Sequence, residues 1–298
     1  MTRDSSVMSS EAPFAGSAAL IFGGAKGIGG AVAHEFARRG ARVAIADIDR
    51  DAAQQTAEAL QTAGSAALAL RCDVRRSDSM RAAVVEAEQW AGDIDIVMNN
   101  VGVMISGYPE DIPLAEWQRV MDLNLFPVVR SNEIFLPKMI ARGHGHIVNT
   151  ASFAGLYPYA VNRMPYVASK SAVVALTESL ALYLMPQGVR VSCFCPGPVM
   201  TNILAGSKSW SKEAVMRGPG EQFMPISAQQ AAAMLADGMR DGRILIPTDP
   251  QVWREMQEHA ETPDEFIRGK AEGFARGETG LPSREAIQAL MAAAEQPE

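Results

Sequence analysis

Seven short β-rich runs alternate with six amphipathic segments along this chain, and that alternation restricts the fold more than any other feature. The runs are 18–24, 41–47, 66–74, 93–102, 145–152, 189–197 and 242–248. The helical segments between them are 28–39, 50–63, 77–91, 114–142, 165–186 and 227–240. Strands that alternate with helices through short, Gly-rich joints build a parallel sheet covered on both faces. The expected architecture is therefore α/β, a doubly wound parallel seven-stranded sheet in one domain over 14–249, with right-handed crossovers. With 298 residues, 48% of them hydrophobic, the chain is long enough to bury one such core.

Two regions break the rhythm. Residues 198–226 scatter Met200, Ile203, Leu204, Trp210, Met216 and Phe223 among polar positions. A long loop beside the carboxyl edge of a sheet reads as a lid over a ligand. Residues 250–298 are helical in pattern but weakly apolar, with breaks at 277–280 and 281–283. They read as a C-terminal helical extension that packs on the surface or on another subunit. Residues 1–13 read as a disordered lead, because Asp4 and Glu11 disrupt a charged-then-apolar leader layout. No apolar run in the sequence is expected to span a membrane. A net charge of −7 opposes binding to nucleic acid or to an acidic membrane surface. A cytoplasmic protein without nucleic-acid or membrane partners is expected. Cys72, Cys193 and Cys195 lack disulfide or metal spacing, and the last two share one face of a strand. His144 and His146 fall in a polar turn, and no metal site is expected.

The first strand runs into Gly23-Gly-Ala-Lys26-Gly27-Ile28-Gly29 and then into a helix. Phosphates need backbone N–H groups and a helix N-terminus with no Cβ in the way. A tight turn alone would also use these glycines, but their place between first strand and first helix favours a dinucleotide. Asp47 ends the second strand, where a carboxylate accepts hydrogen bonds from ribose hydroxyls and repels a 2′-phosphate, favouring NAD. It could instead cap the next helix, a task also open to Asp49. Lys26 pulls the other way, toward NADP. Asp73 ends the third strand within reach of an adenine, and Ile48 and Val74 flank the two acids. Asn99-Asn100-Val101-Gly102 ends the fourth strand, with close backbone approach at Gly102.

Tyr166 and Lys170 are four residues apart on one face of an apolar helix that begins near Pro165. A phenol is a poor base at neutral pH. A neighbouring ammonium stabilises its phenolate and lets it exchange protons with a substrate oxygen. A surface Tyr–Lys pair is the plain alternative when the pair is taken alone.

Gly23-x-x-x-Gly27-x-Gly29, Asn99-Asn-x-Gly102, Ser152, Tyr166-x-x-x-Lys170 and Pro196-Gly197 stand in an order and spacing that resemble the short-chain dehydrogenase/reductase family. The resemblance covers roughly residues 15–248. It implies a Rossmann-type fold and hydride transfer between a nicotinamide cofactor and a secondary alcohol or ketone. By the same resemblance Tyr166 is the general acid/base, and Lys170 lowers its pKa and bonds the nicotinamide ribose. Ser152 then holds the reacting oxygen, and Asn124 holds a water of the proton relay. Pro196, Gly197, Val199 and Thr201 close on the nicotinamide, and Asn100 lies with the cofactor. Two positions depart from the family pattern: Phe22 replaces Thr, removing a hydrogen bond inside the glycine loop, and Val101 replaces Ala. A homodimer or homotetramer formed through the helices near 114–142 and 165–186 is also implied.

The substrate is expected to meet Phe153, Tyr159, Met164, Met200, Leu204 and Trp210. Apolar, Met-rich walls suit a bulky aromatic or alicyclic alcohol or ketone. Within 153–165 only Arg163 could clamp a carboxylate. The alternatives are an NADP-dependent ketoreductase for a smaller polar substrate and a non-catalytic NAD-binding regulator. The intact Asn, Ser, Tyr and Lys set argues against the regulator.

Overall fold

The computed structural model describes residues 14–201, 207–283 and 285–287. The expected lead over 1–13, and Ile203 and Leu204 of the lid, lie outside these residues. The strands are β1 (Ala18–Phe22), β2 (Arg42–Asp47), β3 (Ala67–Arg71), β4 (Ile96–Asn99), β5 (Gly145–Thr150), β6 (Val189–Cys195), β7 (Val199–Met200), β8 (Ile226–Ser227) and β9 (Leu245–Pro247). The helices are α1 (Gly27–Arg38), α2 (Arg50–Thr62), α3 (Ser77–Ala91), α4 (Leu114–Asn124), α5 (Phe126–Arg142), α6 (Met164–Leu184), α7 (Ala228–Arg240), α8 (Val252–Glu261) and α9 (Pro263–Ala275).

Seven strands form one parallel sheet in the order β3-β2-β1-β4-β5-β6-β9. All seven therefore end on one edge. The period of two along β1 divides the core: Ala19 and Ile21 pack with α1, α2 and α7, while Ala18, Leu20 and Phe22 pack with α3, α5 and α6. Strand order reverses between β1 and β4, the place where open parallel sheets bind ligands.

The segment 114–142 is not one helix, as its pattern predicts, but two. Leu125 turns the chain with φ −110° and ψ −54°. Pro127 lacks an N–H and disfavours helical geometry at the residue before it, so α5 restarts there. The break brings Asn124, at the end of α4, into the interior, where it is 2% exposed.

The expectation that nothing reaches membrane length also needs correction. Met164–Gln187 is long and apolar enough to cross a membrane. One side of it, including Tyr166, Ser169, Lys170, Val173 and Thr177, is buried in the domain, and it packs on β6 and α4. That is the pattern of a core helix. Its position is fixed by a chain of buried polar contacts: Asn99 Nδ2 donates to Asn149 Oδ1 (2.8 Å), and Asn149 Nδ2 donates to Thr177 Oγ1 (3.0 Å).

The described part of the lid carries its own short parallel pair, β7 with β8, and a bridge between Ser106 and Ser209. The C-terminal extension packs on its own domain. Val252 is fully buried, and Met256 and Phe266 join Tyr157, Tyr159, Phe153 and Tyr166 in one apolar cluster.

Candidate active site

A cleft of about 1030 Å³ runs along the carboxyl edge of the sheet. It begins at the glycine loop and Asp47 and ends at Tyr159, Arg163 and Leu281.

At the first end, Gly23 has φ +75° and Gly27 has φ +56°, backbone states that L side chains rarely adopt. A Cβ on Gly29 would overlap the carbonyl oxygen of Gly23. Among the described residues no side chain caps the N-terminus of α1, and Gly27 and Ile28 line the cleft. Uncapped first-turn N–H groups at a positive helix end fit a pyrophosphate. Asp49 caps α2, accepting from Ala52 N at 3.1 Å. Asp47 is thereby left to the cleft, where Oδ2 accepts from Ala25 N (3.2 Å) and Oδ1 from Asp49 N (3.1 Å). The Lys26 ammonium is drawn to Asp49 at 2.7 Å, on the exposed rim, and this pairing raises its pKa. Ile48, Asp73 and Val74 also line the cleft. Asp73 is ion-paired with Arg75 at 2.7 Å, which holds its carboxyl below the ordinary range.

The departure at Phe22 is compensated. Asn100 Nδ2 donates to Gly23 O at 3.0 Å, and Thr150 Oγ1 donates to Asn100 Oδ1 at 3.1 Å, so the glycine loop is tied from β4 and β5. The extra bulk at Val101 lies against Gly23, where an added Cβ would meet its Cγ2 at 2.8 Å. The positive-φ glycines, the uncapped N-terminus of α1 and Asp47 together fit a dinucleotide.

At the middle of the cleft, Ser152 follows β5, and Tyr166 and Lys170 project from the first turns of α6. Both α6 side chains are buried, at 8% and 3% exposure. Lys170 Nζ donates to Thr150 O at 2.7 Å and lies 5.8 Å from the Tyr166 ring centroid. Burial lowers its pKa from 10.5 to about 8. A Cβ on Gly102 would come within 3.2 Å of Nζ, so that glycine clears the space above the lysine. Burial also raises the Tyr166 phenol above its ordinary value, and the Ser152 hydroxyl and the Arg163 guanidinium act against that rise. The sequence points to Lys170 as the acidifying cation. In this structure Lys170 Nζ donates to Thr150 O while staying beside the phenol ring, and Arg163 is a second positive charge near it. Asn124 does not line the cleft. It clamps the wall behind it, accepting from Val103 N (2.8 Å) and donating to Val103 O (3.0 Å) and Ser169 Oγ (2.9 Å). Ser169 Oγ in turn donates to Tyr166 O at 2.7 Å.

Pro196, Gly197, Val199 and Thr201 border the cleft as expected, and Gly197 N donates to Thr248 Oγ1 at 2.9 Å. Of the expected substrate residues, Tyr159 and Met200 line the cleft. Phe153 does not: it is wholly buried under Gly197, edge-on to Phe223 with ring centroids 5.1 Å apart. Met164 points elsewhere, to the exposed side of α6. Trp210 belongs to a separate cluster with Ile105 and Ile112. Leu204 lies outside the described residues. Sequence reasoning missed Met104, Met216, Arg217, Pro219 and Leu281 as lining groups. Leu281 arrives because the extension is sewn to the lid: Gly218 N donates to Thr279 O (2.7 Å) and Gly220 N to Gly280 O (2.9 Å). The Arg217 side chain adds bonds to Glu278 O and to Phe274 O. The chemical signal for that seam was the run Gly218-Pro-Gly220 and Gly280, since a Cβ on Gly218 would collide with Gly280 O.

A doubly wound sheet with a dinucleotide cleft at its switch point, and a Tyr–Lys pair beside Ser152, defines a Rossmann-type oxidoreductase. The sequence comparisons place it more closely. The family model described as short chain dehydrogenase matches residues 17–212. Ketoacyl reductase HetN of Nostoc sp. is 35% identical over 184 residues, covering 62% of this chain and 64% of that protein, slightly less than two thirds of its length. Cyclohexanol dehydrogenase of Acinetobacter sp. is 35% identical over 188 residues, covering 63% of this chain and 74% of that one. A crystal structure of a short chain dehydrogenase/reductase from Burkholderia phymatum in complex with NAD superposes with TM-score 0.74 at 28% identity, covering 85% of this chain and 96% of that one. The chain belongs to the short-chain dehydrogenase/reductase family of NAD(P)-dependent oxidoreductases.

Proposed function

We propose that this protein transfers hydride between NAD(H) and a bulky, largely apolar secondary alcohol or ketone. The observation that carries this is one cleft joining the glycine loop and Asp47 to Ser152, Tyr166 and Lys170. NAD(H), when bound, supplies the nicotinamide carbon that accepts or gives the hydride. The protein supplies the rest. Ser152 holds the reacting oxygen by a hydrogen bond; Tyr166 takes its proton as the phenolate during oxidation and returns one as the phenol during reduction. Lys170, already desolvated, holds a ribose hydroxyl and adds positive charge beside the phenol. Asn124 fixes Tyr166 through Ser169 and the Val103 backbone. Asp47 favours NAD over NADP, because its carboxylate lies in the cleft where it repels a 2′-phosphate, while Lys26 is drawn to Asp49 on the rim.

The far end of the cleft supports the substrate reading. Met104, Tyr159, Met200, Met216, Pro219 and Leu281 make an adaptable apolar wall. The similarity to a cyclohexanol dehydrogenase agrees with a ring-sized substrate. Exposed Phe126 and Val129 on α5, with Leu182 and Tyr183 on α6, support assembly as a homodimer or homotetramer.

The test is NADH formation from cyclic and aryl secondary alcohols. Tyr166→Phe should remove turnover while NADH still binds, and Asp47→Ser should reduce the preference for NAD over NADP by about tenfold or more, the equivalent of roughly 1.4 kcal/mol. Turnover by Tyr166→Phe at the wild-type rate would refute the proposed chemistry.

A further inference from the structure

Arg163 is the N-cap residue of α6, three positions before Tyr166, and it forms part of the cleft wall. It is 8% exposed. A guanidinium stays charged at any pH the protein meets and offers five N–H donors. A buried charge is retained at a cost unless it is paired and hydrogen-bonded. Among the described residues, no carboxylate lies within ion-pair distance of Arg163. Its partners are meagre. One terminal nitrogen donates to Arg217 O, the other reaches Met104 Sδ at 3.5 Å, and the group sits 5.7 Å over the Tyr159 ring. Nε has no partner among the described residues. One carbonyl, one thioether and one ring face leave most of the donor capacity and the whole charge unmatched.

The surroundings indicate which ligand would match it. The glycine loop, where a pyrophosphate fits, is bordered by Asn100, Val101 and Thr201. Arg163 is bordered by Met104, Tyr159 and the lid at Arg217. A negative group reaching it would therefore come from the substrate. Arg is the side chain whose planar fork suits a carboxylate.

We propose that Arg163 recognises a carboxylate on the substrate, so that the preferred substrate is a ring-bearing hydroxy acid or its keto acid. This rests on the reading of the cleft as a site of alcohol oxidation, and it names the substrate class for that site. The carboxylate is a spectator in the reaction. The carbinol carbon gives its hydride to NAD+, the hydroxyl proton goes to the Tyr166 phenolate, which becomes the phenol, and the ring lies against Met104, Met216 and Leu281.

The experiment compares each acid with its own methyl ester, using 4-hydroxycyclohexanecarboxylate and 3-hydroxy-3-phenylpropanoate. The wild type should prefer the acids in kcat/KM by roughly 10- to 150-fold, the value of a hydrogen-bonded charged group. Arg163→Gln should bring the acid-to-ester ratio of kcat/KM to within about threefold of one, whatever happens to the rate on the ester, and Arg163→Lys should keep part of the ratio. Equal turnover of acid and ester by the wild type, or an equal fall for both in the variant, overturns the proposal. Thermal denaturation with NADH present supplies an arm that needs no turnover. The acids should raise Tm of the wild type and not of Arg163→Gln. If they do so while no alcohol reduces NAD, the carboxylate site stands and the oxidoreduction reading of the cleft falls. If the acids leave the wild-type Tm unchanged, the carboxylate site falls. If Arg163→Gln does not fold, Arg163→Lys decides: a selective loss on the acids supports the site, and an equal loss on acid and ester refutes it.

Discussion

Replacing Lys170 with Met should separate the lysine's effect on stability from its effect on chemistry. The ammonium is 3% exposed and donates to the Thr150 carbonyl at 2.7 Å. Burial takes its pKa from 10.5 to about 8. At about 1.4 kcal/mol per unit, this is about 3 kcal/mol in favour of the neutral amine once the chain is folded. The sign follows from proton counting. An unfolded lysine keeps its proton up to pH 10.5, whereas the folded one releases it near pH 8. Between these values the unfolded state binds more protons, so this residue makes stability rise with pH. A methionine side chain in its place cannot titrate. The wild-type minus Lys170→Met difference in unfolding free energy should therefore grow by about 3 kcal/mol from pH 7 to above pH 10, at about 1.4 kcal/mol per pH unit. Urea unfolding of the cofactor-free proteins at pH 7, 8, 9 and 10 measures it, and the difference cancels the other titrating groups. A flat difference would mean that the ammonium is not desolvated, and a falling one that an unseen acid holds its charge. Activity should move independently: at pH 7, where the variant compares best in stability, its kcat/KM should be lower by about 100-fold or more.

Two further perturbations probe the ends of the cleft. Gly29→Ala places a Cβ against the carbonyl oxygen of Gly23, backbone against backbone, and NADH fluorescence titration should show affinity lower by about tenfold or more. Gly269→Ala, where an added Cβ meets nothing within 4 Å, is the control and should bind normally. Truncation after Gly277 removes Thr279, Gly280 and Leu281 from the lid seam. The KM for a ring-sized alcohol should rise by about tenfold, from lost apolar contact, with kcat nearly unchanged. A parallel fall in kcat would show that the extension acts on the chemistry itself.

What the sequence made legible is what local periodicity and chain order encode. Each strand of the parallel sheet carries its own apolar run, and a small or polar residue stands at or just after its end on the same edge. Gly23, Asp47, Asn100, Ser152 and Gly197 could therefore be assembled on paper before their contacts were known. The break between α4 and α5 was signalled by Pro127 but masked by apolar spacing that continues through Leu125 and Phe126. The substrate end was least legible, because its contacts join distant segments. Leu281 reaches the cleft through bonds to residues 218 and 220, some sixty positions earlier, and no local pattern encodes such a pairing. Phe153 and Trp210 are aromatic residues beside the site in sequence, yet the packing of Gly197 over one and of Ile105 and Ile112 around the other turns both into core. The role proposed for Arg163 depends on where its guanidinium points and what it lacks as partners, and that is a property of side-chain direction.

The two ends of this arrangement are held by different means, and that difference underlies the expected split between KM and kcat. Tyr166 is fixed from inside the domain, through Ser169, Asn124 and the Val103 backbone, while Thr177 lower on α6 is tied through Asn149 to Asn99. Among the described residues, none of these partners hydrogen-bonds to the extension. The lid is held in part from outside, by backbone hydrogen bonds to Thr279 and Gly280 and by the reach of Arg217 to Glu278 O and Phe274 O. Polar links between the two include the bonds from Arg163 to Arg217 O, from Asn162 Nδ2 to Val215 O (2.7 Å) and from Tyr157 OH to Pro219 O (2.8 Å). Loosening the extension therefore frees the lid and the apolar wall first, while the phenol keeps its inner supports. Variation in the seam at 279–281, as distinct from Val252, Met256 and Phe266 that pack in the Tyr166 cluster, is a means of changing what the cleft admits while leaving intact the proton transfer proposed beside it.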